Sequence, residues 1–130
     1  MPKPPLPEEL QALLSQPHPA VMASLKPDGS PLTVATWYLF EDGRVLVNLD
    51  DSRARLKHLK ADPRVSLTVL DSDWYRHVSL QGRVVELKPD TDLVDIDRLS
   101  THYRGEAYPV RDRTRTSAWI ELDHWHGWHV

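Results

Sequence analysis

Residues Asn48 to Val65 read N-L-D-D-S-R-A-R-L-K-H-L-K-A-D-P-R-V, and the fold follows outward from them. A β-branched strand over Val45-Leu46-Val47 runs into Asp50-Asp51-Ser52, residue types that commonly cap helices. A short helix follows, with Arg53, Arg55 and Lys57 in its first turns, and Asp62-Pro63 ends it because proline disfavours helix in the preceding residue. Cations ordinarily gain stability at a helix C-terminus; here three sit at the N-terminus, where unpaired N–H groups and the dipole already favour anions. The pattern points to an anionic ligand, phosphate above all. A solvated basic face with mildly repelling i,i+4 neighbours is the other reading open to the same residues.

Upstream, Pro7-Glu8-Glu9 opens a helix with Leu10, Leu13 and Leu14 on one face, ended by Pro17 and Pro19. Strands are expected over 20–25, 32–40 and 44–49, joined by Lys26-Pro27-Asp28-Gly29-Ser30-Pro31 and by the Asp42-Gly43 turn. Downstream, a strand over 65–70 leads through Asp71-Ser72-Asp73 to a long strand over 76–87, with a bulge or sharp bend at Gly82. A helix beginning at Pro89-Asp90 carries Leu93, Ile96 and Leu99 inward and Asp92, Asp95 and Asp97 on an acidic outer face. Residues 104–115 are expected to form a mobile, arginine-rich loop, followed by a sixth strand over 116–122 and a possible seventh over 123–130. Six or seven short antiparallel strands with few helices predict a mainly β fold, a small β-barrel in one domain spanning residues 1–130.

Composition narrows the function classes. The 130 residues carry a net charge of −3, which disfavours a general nucleic-acid binder. Positive charge is concentrated in 53–64 and in Arg111-Asp112-Arg113-Thr114-Arg115, a distribution suited to a small anionic ligand. Without cysteine there is no disulfide framework and no catalytic thiol. Apolar runs are too short for a membrane span, and Met1-Pro2-Lys3-Pro4-Pro5 lacks a signal-peptide core, so a cytoplasmic protein is expected. Neither G-x-S-x-G nor G-K-[ST] occurs, which removes serine-hydrolase and P-loop readings. His124 and His126 would share a strand face, but no complete ligand set accompanies them and no metal is expected. Exposed tryptophans on a barrel of this size favour a dimer.

Four pieces carry a resemblance to a known family. They are Val21-Met22-Ala23-Ser24-Leu25 with its Pro-Asp-Gly turn, Thr36-Trp37-Tyr38, the basic segment from Ser52 to Val65, and Val78-Ser79-Leu80-Gln81-Gly82-Arg83-Val84. In this order they resemble the flavin-binding split β-barrel proteins related to pyridoxamine 5′-phosphate oxidase, most nearly the actinobacterial branch that uses the deazaflavin F420. The basic segment is similar to the family pattern R-x-K-x-x-N-L-x-x-D-P-R-V, with Arg55 in place of lysine and His58 in place of asparagine. No C-terminal arginine motif for pyridoxal phosphate follows, so the resemblance does not imply vitamin B6 oxidation.

The resemblance implies a split barrel that forms a homodimer with cofactor sites at the interface. It implies that Ser52, Arg53, Arg55 and Lys57 receive the cofactor phosphate, and that Ala35, Thr36 and Trp37 with Val47, Asn48 and Leu49 flank the ring. Trp74 and His77 belong to a region that approaches the partner's cofactor in relatives. The acidic tail of F420 would meet basic residues of the 111–115 loop or Lys60. The implied activity is F420-dependent hydride transfer to a small planar or unsaturated substrate, with FMN as the alternative cofactor. A non-catalytic flavin or tetrapyrrole carrier is the alternative outside enzymology. No protein nucleophile or general base is implied.

Overall fold

A computed structural model describes residues 2–130. Its elements are helix α1 (Glu8–Leu14), strands β1 (Ala20–Leu25), β2 (Pro31–Thr36), β3 (Leu39–Glu41) and β4 (Arg44–Asp50), and helix α2 (Ala54–Ala61). Strands β5 (Arg64–Leu70) and β6 (His77–Pro89), helix α3 (Val94–Arg104) and strand β7 (Arg115–Trp128) complete the chain. All seven strands belong to one antiparallel sheet in the order β2-β1-β5-β6-β7-β4-β3. Strands β2 and β3 stand at opposite edges of that order, yet only Trp37 and Tyr38 separate them in sequence. The sheet therefore curls until its two edges meet across those residues. This is the expected mainly β split barrel.

Alternation drives the closure. β1 buries every second residue from Ala20, and β5 buries Val65, Leu67 and Val69, so one side of each strand lines the interior. Ala20, Met22, Val65, Leu67 and Val69 join Leu10, Leu13 and Leu14 of α1 and Leu59 of α2 in one apolar cluster. α1 thus covers part of the barrel with the face that its leucine spacing specifies. No helix among the described residues is long and apolar enough to cross a membrane.

Several boundaries differ from expectation. The strand expected over 32–40 is broken at Trp37-Tyr38, because Tyr38 turns fully into the core and its hydroxyl donates to the Gln16 carbonyl at 3.1 Å. The two terminal strands are one 14-residue strand, β7, which pairs with β6 along nearly its whole length and with β4 over its first half. The bulge at Gly82 is present: the β6–β7 register shifts between Gln81 and Gly82. The helix after Pro89 begins later than expected, because Asp92 and Leu93 adopt left-handed φ values of 59° and 58°. Asp95 and Asp97 are not a free acidic face either. Asp95 accepts from Ser117 and Arg98, while Asp97 accepts from the Tyr108 N–H and Arg111. Those last two bonds strap the arginine-rich segment after α3 to the helix, where a mobile loop was expected.

Candidate functional site

The break between β2 and β3 creates the site. Tyr103 of α3 accepts a hydrogen bond from the Tyr38 N–H at 3.3 Å and donates to the His18 carbonyl at 2.7 Å. The freed Trp37 ring then stacks on Tyr103 with centroids 5.4 Å apart, and Tyr108 meets it edge-on at 6.1 Å. Burial pushes the Tyr103 hydroxyl up to about 12, and burial also raises that of Tyr38, with Tyr103 adding to the effect. Both hydroxyls thus stay protonated near neutral pH and serve as structural donors.

Beneath these rings lies an open cavity of about 510 Å³, within the usual range for small-molecule sites of roughly 300–1,000 Å³. Its walls include Ala35, Thr36, Trp37, Asn48 and Arg55 together with Tyr103, Tyr108 and Arg115. The fold thus gathers five of the residues expected at the site from three separate stretches of chain. Val47 and Leu49 are buried in the apolar core on either side of Asn48, so only their backbone runs beside the cavity.

Helix α2 meets this cavity at its N-terminus, but the expected caps are absent. Asp50 accepts instead from the N–H of Ser52 at 2.9 Å and from its hydroxyl at 2.7 Å, forming a turn. Asp51 accepts from Thr116. No side chain caps α2, and the N–H groups of Ala54 and Arg55 have no protein acceptor among the described residues. The helix N-terminus therefore keeps unpaired N–H groups beside the cavity.

The three basic residues separate in space. Arg53 stands at the N-cap and Lys57 on the outer face, both exposed, and neither lines the cavity. Arg55 turns inward, and its Nη1 is buried without a partner. Burial holds its guanidinium below the usual range, as do the like charges of Arg115 and then Arg53. A buried donor without an acceptor and a buried charge without a counter-ion both cost free energy that an incoming oxyanion would offset.

Other expected residues lie elsewhere. Ser52 is exposed in its turn, beside Arg113. Trp74 is 60% exposed at the β5–β6 hairpin and stacks on Tyr75 at 4.3 Å. His77 shares a 3.0 Å contact with the Trp74 carbonyl and lies parallel to Trp128. Neither Trp74 nor His77 lines the cavity of this chain. Of the arginines in the 111–115 segment Arg115 does; Arg111 and Arg113 pair with Asp97 and Asp50, and Lys60 lies apart near Val84 and Leu87. Sequence reasoning missed Tyr103, Tyr108 and the distinct role of Arg115. An i,i+4 continuation of the Ile96-Leu99 stripe to Tyr103 was the one signal for them.

A sequence profile of pyridoxamine 5′-phosphate oxidase matches residues 6–129. Among solved structures, one described as an F420 reductase is 25% identical and superposes with a TM-score of 0.85, covering 93% of this chain and 98% of its own. A conserved hypothetical protein of Mycobacterium tuberculosis is 22% identical over 97% of this chain and 86% of its own, with a TM-score of 0.75. A putative pyridoxamine 5′-phosphate oxidase of Listeria innocua, 15% identical with a TM-score of 0.68, covers 95% of this chain and 98% of its own; it shares the fold.

Proposed function

Since the chain belongs to the pyridoxamine 5′-phosphate oxidase family, we propose that it is an F420-dependent oxidoreductase acting on a small planar or unsaturated substrate. The observation that carries this reading is the meeting of the aromatic wall at Trp37 with the unpartnered Arg55 Nη1 in one cavity. The likeness to an F420 reductase favours the deazaflavin over FMN.

In this reading the α2 N-terminus and Arg55 hold the cofactor phosphate through charge-assisted hydrogen bonds, and the exposed Arg53 and Lys57 add a weaker, solvent-screened attraction. The backbone around Ala35-Thr36-Trp37 and Val47-Asn48-Leu49 lies against the ring. The cofactor supplies the hydride, and the protein supplies orientation and a water-poor wall. No side chain of the cavity is required as a nucleophile. Titration of the purified protein with F420 and, separately, with FMN tests this. Roughly micromolar F420 binding without FMN uptake is expected; FMN binding alone would reassign the cofactor, and binding of neither would sink the reading.

We place a homodimer in the same proposal, with the second copy on the outer face of the barrel. Strand register aligns Ala35-Val21-Thr68-Ser79-His126, then Ala23-Ser66-Gln81-His124, then Leu70-His77-Trp128 across the sheet. Directly opposed residues share a face, and none in these rows is charged, in a chain with 27% charged residues. Such a surface meets its own copy without self-repulsion; the exposed Trp128 lies within it and the exposed Trp74 and Tyr75 border it. In this arrangement Trp74 and His77 would approach the partner's cofactor. Ser79→Arg is expected to convert a dimer to a monomer in sedimentation equilibrium; an unchanged mass would move the interface elsewhere.

A further inference from the structure

Two arginines reach the wall of the cavity, and among the described residues no carboxylate lies within 4.0 Å of either guanidinium. Arg55 carries the unpartnered Nη1. Arg115 lies with its guanidinium carbon 5.2 Å from the Tyr108 ring centroid, and its Nε donates to Asn48 Oδ1 at 2.6 Å. That acceptor is neutral. The other arginines of the same loop are matched with acids, Arg111 with Asp97 and Arg113 with Asp50. Asp50 sits opposite Arg115 in the β4–β7 ladder, but its carboxylate is engaged by Ser52 and faces Arg113 at 3.4 Å.

The amide of Asn48 has one workable orientation. Its Nδ2 donates to Asp90 Oδ2 at 3.0 Å and to Ser117 Oγ at 3.2 Å. Flipping it would set its oxygen against a carboxylate and its amino group against a guanidinium. Asp90 is itself buried and held by the N–H groups of Asp95 and Ile96, at 2.8 and 2.9 Å. A chain of hydrogen bonds thus runs from the start of α3 through Asp90 and Asn48 to Arg115. A carboxylate at position 48 would aim Arg115 equally well but cancel its charge. An amide aims it and leaves the charge available.

We propose that Arg115 is the second arm of an oxyanion-binding pair with Arg55, and that Asn48, clamped by Asp90, is the positioning residue that aims it. The ligand group is a phosphate or a carboxylate, since either accepts from two guanidinium groups. The proposal deepens the cofactor reading and rests on it only for which molecule carries the oxyanion.

Inorganic phosphate and glutarate, each titrated against chloride at matched ionic strength and followed by calorimetry and by the rise in Tm, test the pair. Half-saturation by the preferred anion is expected to rise at least about tenfold in Arg115→Gln, the size of one lost charge-assisted hydrogen bond, and to stay unchanged in Arg113→Gln. Asn48→Leu should weaken binding comparably, and should add no further loss in the Arg115→Gln background, because it acts through Arg115. Should Asn48→Leu fail to fold, Arg115→Lys decides, since lysine keeps the charge but lacks the Nε donor and should bind less well than arginine. Unaltered affinity in Arg115→Gln overturns the pair, and additive losses in the double variant overturn the positioning role. Preference for phosphate or for glutarate identifies the ligand group. If these anions bind as expected while F420 and FMN do not, the pair stands and the cofactor reading falls.

Discussion

Arg55→Ala is expected to weaken F420 binding about tenfold to a hundredfold, the equivalent of roughly 1.5–3 kcal/mol for hydrogen bonds to a charged group. The reason is placement. Arg55 alone of the three basic residues at the start of α2 lines the cavity, and its buried Nη1 has no protein acceptor. Lys57→Ala is expected to cost at most about 1 kcal/mol, because an exposed charge interacts through water and is screened by salt. Equilibrium titration of both variants at fixed ionic strength separates these outcomes. A larger loss for Lys57→Ala would place the phosphate on the outer rim of the helix and empty the cavity of its assigned role.

Gly82→Ala is expected to destabilise the fold by about 3 kcal/mol, at the upper end of the usual cost of overpacking. A Cβ on Gly82 would intrude on the Glu121 carbonyl oxygen, which is backbone and cannot swing aside, and would press on the Ile120 side chain at 3.1 Å. The close approach arises at the β6–β7 bulge, in the longest pairing of the sheet. Gly29→Ala supplies the contrast. It has open space around it but a φ of +86°, so its cost is conformational and about 1 kcal/mol. Urea denaturation of both variants measures the difference, and equal midpoints would show that the bulge relaxes without strain.

These two expectations differ in what made them legible. Gly82 interrupts a long strand pattern, a feature readable residue by residue. The basic segment was likewise readable as a candidate anion site, because the clash between its charges and the helix dipole is local. What it did not announce was that Arg55 turns inward while Arg53 and Lys57 face solvent. That choice depends on where β4 delivers the chain and on what α2 packs against. Asp50, Asp51 and Ser52 read as helix caps, yet Asp50 closes a turn on Ser52 and Asp51 binds Thr116 of β7. Those contacts leave the helix end free for a ligand.

The break at Trp37-Tyr38 was also illegible, since Thr, Val, Trp and Tyr all favour strands. Tyr38 leaves the strand because its ring fills the core and its hydroxyl finds Gln16, 22 positions away. Tyr103, 65 positions further on, holds the turn and presents Trp37 to the cavity. Arg115 and Asn48, 67 positions apart, meet only because β7 pairs with β4.

The sequence by itself determined the mainly β class, the alternation that closes the barrel, the bulge and the concentration of positive charge at the start of α2. Each is set by periodicity, turn chemistry or charge within a dozen neighbouring residues. Only the tertiary structure decided which cation faces the cavity, which aromatic rings wall it and which arginine is left without a carboxylate. Those outcomes are balances of burial and hydrogen bonding between strands and helices far apart in the chain, and no local pattern records them.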